Sequence, residues 1–182
     1  TSAEALMRIK DASDQIVLPN TFINVAEKNG MIIRLGEIVF EKVCGFLQEN
    51  HPKQLGLHYI EVNLSAVQCT YEHLAESFIR IMEQYEIDPS WVNLEITESA
   101  SVSSKKIFLE NIRKLMDYGI TFSLDDFGIA YSILLLIRNL PVGSVKLDHS
   151  FTLLQGYFFD RPMPAIRRLI FRAYPSLSTG RY

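Results

Sequence analysis

Apolar residues recur along this chain with two different periods, and the alternation between them sets out an architecture. Leu35, Val39, Val43 and Leu47 return every four residues with Phe40 and Cys44 beside them, which predicts an amphipathic helix over about 32–50. The short run Tyr59-Ile60-Glu61-Val62-Asn63-Leu64 predicts a strand. Leu74, Phe78, Ile81, Met82 and Tyr85 predict a second helix, stopped by the Asp88-Pro89 turn. Val92 to Ile96 predicts the next strand. Phe108, Ile112 and Leu115 predict a helix at about 103–118, with Ser103 or Ser104 as its N-cap and Gly119 placed to end it. Strands at about 120–125 and 144–148 complete the readable pattern, and no low-complexity segment, repeat or flexible linker interrupts it.

Strands alternating with helices predict a mostly parallel sheet, as an open doubly wound sheet or a closed barrel. Polar residues decide between the two. Asn63, Glu95, Asp125 and Lys146 each fall at or near the end of a strand run, at intervals of 32, 30 and 21 residues. Eight units in about 250 residues would be spaced by about 31, and a (β/α)8 barrel delivers its functional groups from the C-terminal ends of several strands. No glycine-rich phosphate loop of the doubly wound kind occurs. The expected fold is therefore α/β, a (β/α)8 TIM-like barrel.

Composition narrows the class further. The chain has 182 residues, 48% hydrophobic and 21% charged, and a formal net charge of −3. These values exclude disorder, collagen-like repeats and a disulfide-stapled miniprotein. The run Ile133-Leu134-Leu135-Leu136-Ile137 is far too short for a membrane span, which needs about 20 residues. No secretory leader is visible and the chain opens on Thr1, as expected of a piece of a longer polypeptide. Cys44 and Cys69 show no metal or redox spacing, so both are expected to be buried thiols in a reducing, cytoplasmic compartment. Residues 1–160 carry 13 basic and 21 acidic groups, whereas residues 161–182 carry five arginines and no acid. An acidic body argues against a groove for a nucleic-acid polymer. The terminal arginines (Arg161, Arg167, Arg168, Arg172 and Arg181) read as a solvated helix face.

At the strand ends stand Glu4, Asn63, Glu95, Asp125 and Asp126, followed by Lys146 and Asp148. Carboxylates and an amide oxygen on one rim suit Mg2+ or Mn2+, and no histidine or cysteine set competes for a softer metal. Adjacent Asp125 and Asp126 are the most informative pair, because like charges side by side are costly unless a cation neutralises them. An aspartate shared by two ions is suited to a two-metal phosphoryl site. Lys146 would stabilise charge or orient water there. Any one of these acids alone is as easily a solvated or helix-capping group; five together point to metal-dependent phosphoester hydrolysis.

The same residues resemble a family. Glu4-Ala5-Leu6 with Met7-Arg8, Pro19-x-x-Phe22-Ile23, Ala26-Glu27, Val62-Asn63-Leu64-Ser65, Leu94-Glu95-Ile96-Thr97-Glu98-Ser99, Leu124-Asp125-Asp126-Phe127-Gly128, Val145-Lys146-Leu147-Asp148 and Gln155-Gly156-Tyr157 stand in the order found in EAL domains, the cyclic di-GMP phosphodiesterases of bacteria. The resemblance implies a (β/α)8 barrel that opens cyclic di-GMP to linear pGpG with two Mg2+ or Mn2+ ions. It implies Glu4, Asn63, Glu95, Asp125 and Asp126 as metal ligands, with Asp125 bridging. By the same resemblance Lys146 holds water or phosphate, and Glu98 anchors the loop after the aspartate pair. Arg8 would contact a substrate phosphate and Gln155 a guanine or ribose-phosphate edge. It also carries the family traits of dimerising near the aspartate pair and of following sensory or cyclase domains.

Three departures from the family pattern stand out. The barrel's first strand and helix, expected ahead of Glu4, are missing. Only Thr152, Leu153 and Leu154 separate Phe151 from Gln155, where the family usually places a strand, helix and strand carrying an Ala-Glu-Gly-Val-Glu segment. No glutamate follows Glu110, so that segment's general base has no counterpart. In the loop after Asp126, Ile129 and Ala130 stand where the family usually has a small Thr or Ser and then Gly, and Ile133 replaces a small polar residue; the isoleucines either stiffen a segment that has to move or simply pack on the following helix. Residues 1–182 thus read as one incomplete EAL-type domain. The retained ligands favour an enzyme, and the missing glutamate favours a receptor or interaction module that binds cyclic di-GMP without cleaving it.

Overall fold

The structure, a computed structural model, describes residues 2–97, 104–127, 144–147 and 170–172. The chain opens with strand β1 (Ala3–Ala5) and a small antiparallel hairpin of β2 (Ile9–Lys10) and β3 (Ile16–Val17). Helices α1 (Pro19–Lys28) and α2 (Met31–Glu49) follow. Strand β4 (Ile60–Leu64) runs into the one-turn helix α3 (Ala66–Cys69) and then α4 (Leu74–Gln84). Beyond it come β5 (Val92–Thr97), α5 (Lys105–Tyr118), β6 (Thr121–Phe127), β7 (Ser144–Leu147) and β8 (Ile170–Arg172).

Six of these strands form one sheet in the order β1-β4-β5-β6-β7-β8, every pair parallel. That order never reverses among the described strands. A doubly wound sheet reverses its order at a switch point, whereas the wall of a (β/α)8 barrel runs monotonically. The observed order is that of the barrel wall, as the spacing of polar residues predicts.

Register separates the two faces of the sheet by chemistry. Ile60, Val62, Leu64, Val92, Leu94, Ile96 and Phe122 fall on one face and join a single core with helix residues such as Phe40, Phe78, Phe108 and Leu115. Phe40 of α2 and Phe78 of α4 stack with ring centroids 3.9 Å apart. The alternate positions Glu61, Asn63, Asn93, Glu95, Thr121 and Ser123 fall on the other face. Side chains on a strand point alternately to either face, so helices cover the apolar side and a polar interior is left for the rim. A hydrogen-bonded ladder, buried at Asn93 and Ser123 and open at Thr121, lines its lower part. Asn93 Nδ2 donates to Thr121 Oγ1 at 2.9 Å, and Ser123 Oγ donates to Asn93 Oδ1 at 2.6 Å.

The helices follow the expected 3.6-residue pattern, with small corrections. Helix α5 ends at Gly119, whose φ of 114° is open to glycine at little cost. Ser104 occupies its N-cap, but its side chain makes no capping hydrogen bond. Asn111 of α5, 1% exposed, donates through Nδ2 to the carbonyls of Cys69 and Tyr71 and accepts from Ala75 N–H, which locks α5 onto the α3–α4 turn. Cys44 and Cys69 are both buried free thiols, as expected. The arginine-rich end departs from expectation. Residues Ile170–Arg172 form a strand beside β7, so Arg172 belongs to the sheet and not to a helix face. The other four arginines lie outside the described residues.

Candidate functional site

Three of the predicted site residues come together on neighbouring strands. Asn63 is the fourth residue of β4 and lies in register with Glu95 on β5. Glu4 sits in β1 in register with Glu61, two residues below Asn63, and its carboxylate reaches up the sheet. Asn63 Nδ2 donates to Glu4 Oε1 at 2.7 Å. This bond fixes the amide's orientation and leaves Oδ1 as the atom with which Asn63 can meet a cation. Glu95 is 1% exposed while Glu4 and Asn63 lie open to solvent. A carboxylate so deeply placed is stabilised in its charged form only by hydrogen bonds or a positive partner. Glu61, 5% exposed, adds a second buried carboxylate one layer below.

The aspartate pair sits on a backbone irregularity. Leu124 of β6 pairs with Val145 of β7 and Phe127 pairs with Leu147, so Asp125 and Asp126 together stand against the single residue Lys146. Such a bulge suspends the strict alternation that assigns neighbouring residues to opposite faces of a strand. Thr97 of β5 is the register partner of Asp125. Glu98, Gln155, Asp148 and the loop residues Ile129, Ala130 and Ile133 lie outside the described residues.

Arg8 follows β1, is exposed, and donates through Nη1 to the Met7 carbonyl at 2.8 Å. It lines a cavity of about 200 Å³ together with Asn63, Ser65, Glu27 and Gln68. The last three were not singled out by their chemistry in the sequence. Ser65 caps α3, its Oγ accepting from Val67 N–H at 3.3 Å while its own N–H donates to Gln68 Oε1 at 3.0 Å. The same hydroxyl donates to Glu27 of α1. The capping-box spacing of Ser65 and Gln68 was legible as Ser-x-x-Gln. The partnership with Glu27, 38 residues away, carried no local signal.

Glu4, Asn63 and Glu95 supply two carboxylates and an amide oxygen, a donor set that fits a hard divalent cation. Among the described residues no group of three or more histidine, cysteine, aspartate and glutamate side chains is placed to hold a metal ion. No helix among the described residues is long and apolar enough to cross a membrane.

Comparison with known proteins bears on the family and the fold. Residues 1–172 match the family described as EAL domain. The bifunctional diguanylate cyclase/cyclic di-GMP phosphodiesterase MucR of Pseudomonas aeruginosa is 33% identical over 152 residues, covering 81% of this chain and 22% of that protein. The cyclic di-GMP phosphodiesterase NbdA of the same organism is 31% identical over 148 residues, covering 81% and 19%. Among solved structures, the PaMucR phosphodiesterase in complex with c-di-GMP superposes with a TM-score of 0.68 at 33% identity, covering 81% of this chain and 61% of that one. The chain thus spans about a fifth of the length of these curated relatives.

Proposed function

This chain belongs to the EAL-domain family and has its TIM-barrel-like α/β fold, and from that premise we propose that it hydrolyses cyclic di-GMP to linear pGpG with the help of two divalent cations, Mg2+ or Mn2+. The observation that carries the reading is the Glu4–Asn63 hydrogen bond with Glu95 in register beside it, which gathers hard oxygen donors from three strands onto one face. Glu4, Asn63, Glu95, Asp125 and Asp126 would hold the ions, and the bulge at Asp125-Asp126 is the backbone feature that makes a shared role for two consecutive residues reasonable. Bound cations supply Lewis acidity at the phosphodiester.

The chain's own groups do the rest. The Glu4 carboxylate holds the Asn63 amide with its oxygen outward, and the buried position of Glu95 keeps its charge poorly screened by water. Lys146 offsets charge that develops on the phosphate as water adds and one P–O3′ bond breaks, leaving a 5′-phosphate and a 3′-hydroxyl. Arg8, beside Asn63 in the same cavity, binds the second phosphate. Gln155 would meet a guanine or the ribose-phosphate edge, and Glu98 would anchor the loop after Asp126. The family's general-base glutamate has no counterpart after Glu110, so the test separates binding from turnover. The compartment is the cytoplasm, with sensory or cyclase segments as the partners in the longer protein.

The experiment is incubation of the chain with cyclic di-GMP and Mn2+, with pGpG followed by chromatography, beside Glu4→Ala and Asp125→Ala. Metal-dependent pGpG that falls by about a hundredfold or more in either variant supports the reading. Cyclic di-GMP that binds in EDTA and yields no pGpG with metal would replace it with a receptor.

A further inference from the structure

The turn that follows Asn63 is held from three directions, and only one of the three is a charge. Ser65 lies two residues beyond Asn63 and caps α3 through the reciprocal bonds with Val67 and Gln68. Gln68, 3% exposed, lies so close to Gly36 of α2 that a Cβ there would stand 1.7 Å from its Nε2. The remaining tie is Glu27, the penultimate residue of α1, whose Oε1 accepts the Ser65 hydroxyl proton. Resting on the reading above, we propose that Glu27 is a positioning residue for Asn63: through Ser65 it holds the β4–α3 turn so that the Asn63 amide keeps its bond to Glu4 and its oxygen stays directed at the cation.

Several observations favour this over a merely structural contact. The Ser65 hydroxyl already serves the α3 cap as an acceptor, so the cap survives without Glu27. What Glu27 adds is an acceptor for the hydroxyl hydrogen, which ties the capped turn to α1 across 38 residues of chain. Glu27 and Asn63 line the same small cavity as Arg8, so a shift of the turn is felt at the candidate site. Groups that orient a metal ligand commonly alter affinity by tenfold or more while contributing little to the fold.

The test uses the whole chain and two readouts that need no turnover. The first is Mn2+ binding followed by the electron paramagnetic resonance signal of the free ion. Glu27→Ala is expected to weaken Mn2+ binding by about tenfold. Glu27→Gln, which keeps an acceptor for the Ser65 hydroxyl, should stay within about twofold of the parent. Ser65→Ala, which removes the α3 cap as well, should weaken binding at least as much as Glu27→Ala, and the double variant should be no worse than Ser65→Ala alone. Unchanged binding in Glu27→Ala, an equal loss in Glu27→Gln, or additive losses in the double variant would overturn the proposal. The second readout is the Asn63 side-chain amide resonance in the metal-free chain, identified by its disappearance in Asn63→Ala. It should move in Glu27→Ala and hold its place in Glu27→Gln, and a resonance indifferent to both overturns the proposal. A parent chain that binds no Mn2+ sinks the metal reading, while the metal-free resonance still decides the role of Glu27.

Discussion

The side-chain amide of Asn63 donates to the carboxylate of Glu4 at 2.7 Å, joining two strands whose residues are 59 apart in the chain. Replacing the amide by a carboxylate tests this pairing. Asn63→Asp removes the donor and sets like charges against each other in a partly solvated place. In EDTA it should melt about 3 °C below the parent, the equivalent of about 1 kcal/mol for a chain of this size. Added Mn2+ should return most of that difference, because a cation between the two carboxylates turns repulsion into attraction. Identical melting with and without the ion would show that the pair does not border a cation site.

Gly36 tolerates no side chain without a rearrangement. Its Cβ would collide with Gln68 Nε2 at 1.7 Å, and Gln68 is held by the Ser65 N–H and buried. Alanine improves helix propensity by about 1 kcal/mol over glycine, but expelling Gln68 costs the α3 cap and the local packing, about 2–3 kcal/mol together. Gly36→Ala is expected to melt lower by about 3–6 °C. A higher melting temperature would mean that Gln68 swings aside freely.

Acid should weaken the helical layer through Glu37. Ser77 Oγ donates to its carboxylate at 2.6 Å across α2 and α4, and this bond, with help from Arg34, holds its carboxyl below the ordinary value of 4.5. A group depressed on folding stabilises the folded state above its unfolded pKa and loses that contribution as pH falls through the folded one. Stability should therefore be flat with respect to Glu37 above about pH 4.5 and decline below it. Glu37→Gln should be less stable than the parent at pH 7 and should show a shallower decline in acid, read from urea midpoints across the range. An unchanged acid slope would assign the decline to other carboxylates such as Asp88, which Ser90 holds low in the same way.

Neither thiol should react in the folded chain. Burial pushes Cys44 up to about 12 and Cys69 higher still, so both stay protonated near neutral pH and lack access to reagent. An aromatic disulfide reagent should titrate two thiols per chain in denaturant and almost none without it. Prompt native labelling would point to opening of the α2–α3 region.

Much of the fold was legible because its signals are local. Helix α2 and its relatives α4 and α5 each carry a stripe of apolar residues long enough to state a period, and β4, β5 and β6 as far as Asp125 alternate between apolar and polar residues. Helix α1 was not legible in that way. Only Phe22 and Ala26 are buried on it, Val25 is 58% exposed, and two buried residues do not make a period. The hairpin of β2 and β3 has two residues per strand and shows no pattern at all.

The sequence by itself determined which residue types reach the rim and the order in which strands and helices follow one another, because both depend on backbone periods that repeat within a few residues. The tertiary structure decided who meets whom. It raised the Glu4 side chain to Asn63, brought Glu27 to Ser65, set Glu95 opposite Asn63 and doubled Asp125 and Asp126 against Lys146. Those meetings depend on strand register and on how helices seat on the sheet, which are properties of distant segments packed together and leave no imprint on any one of them.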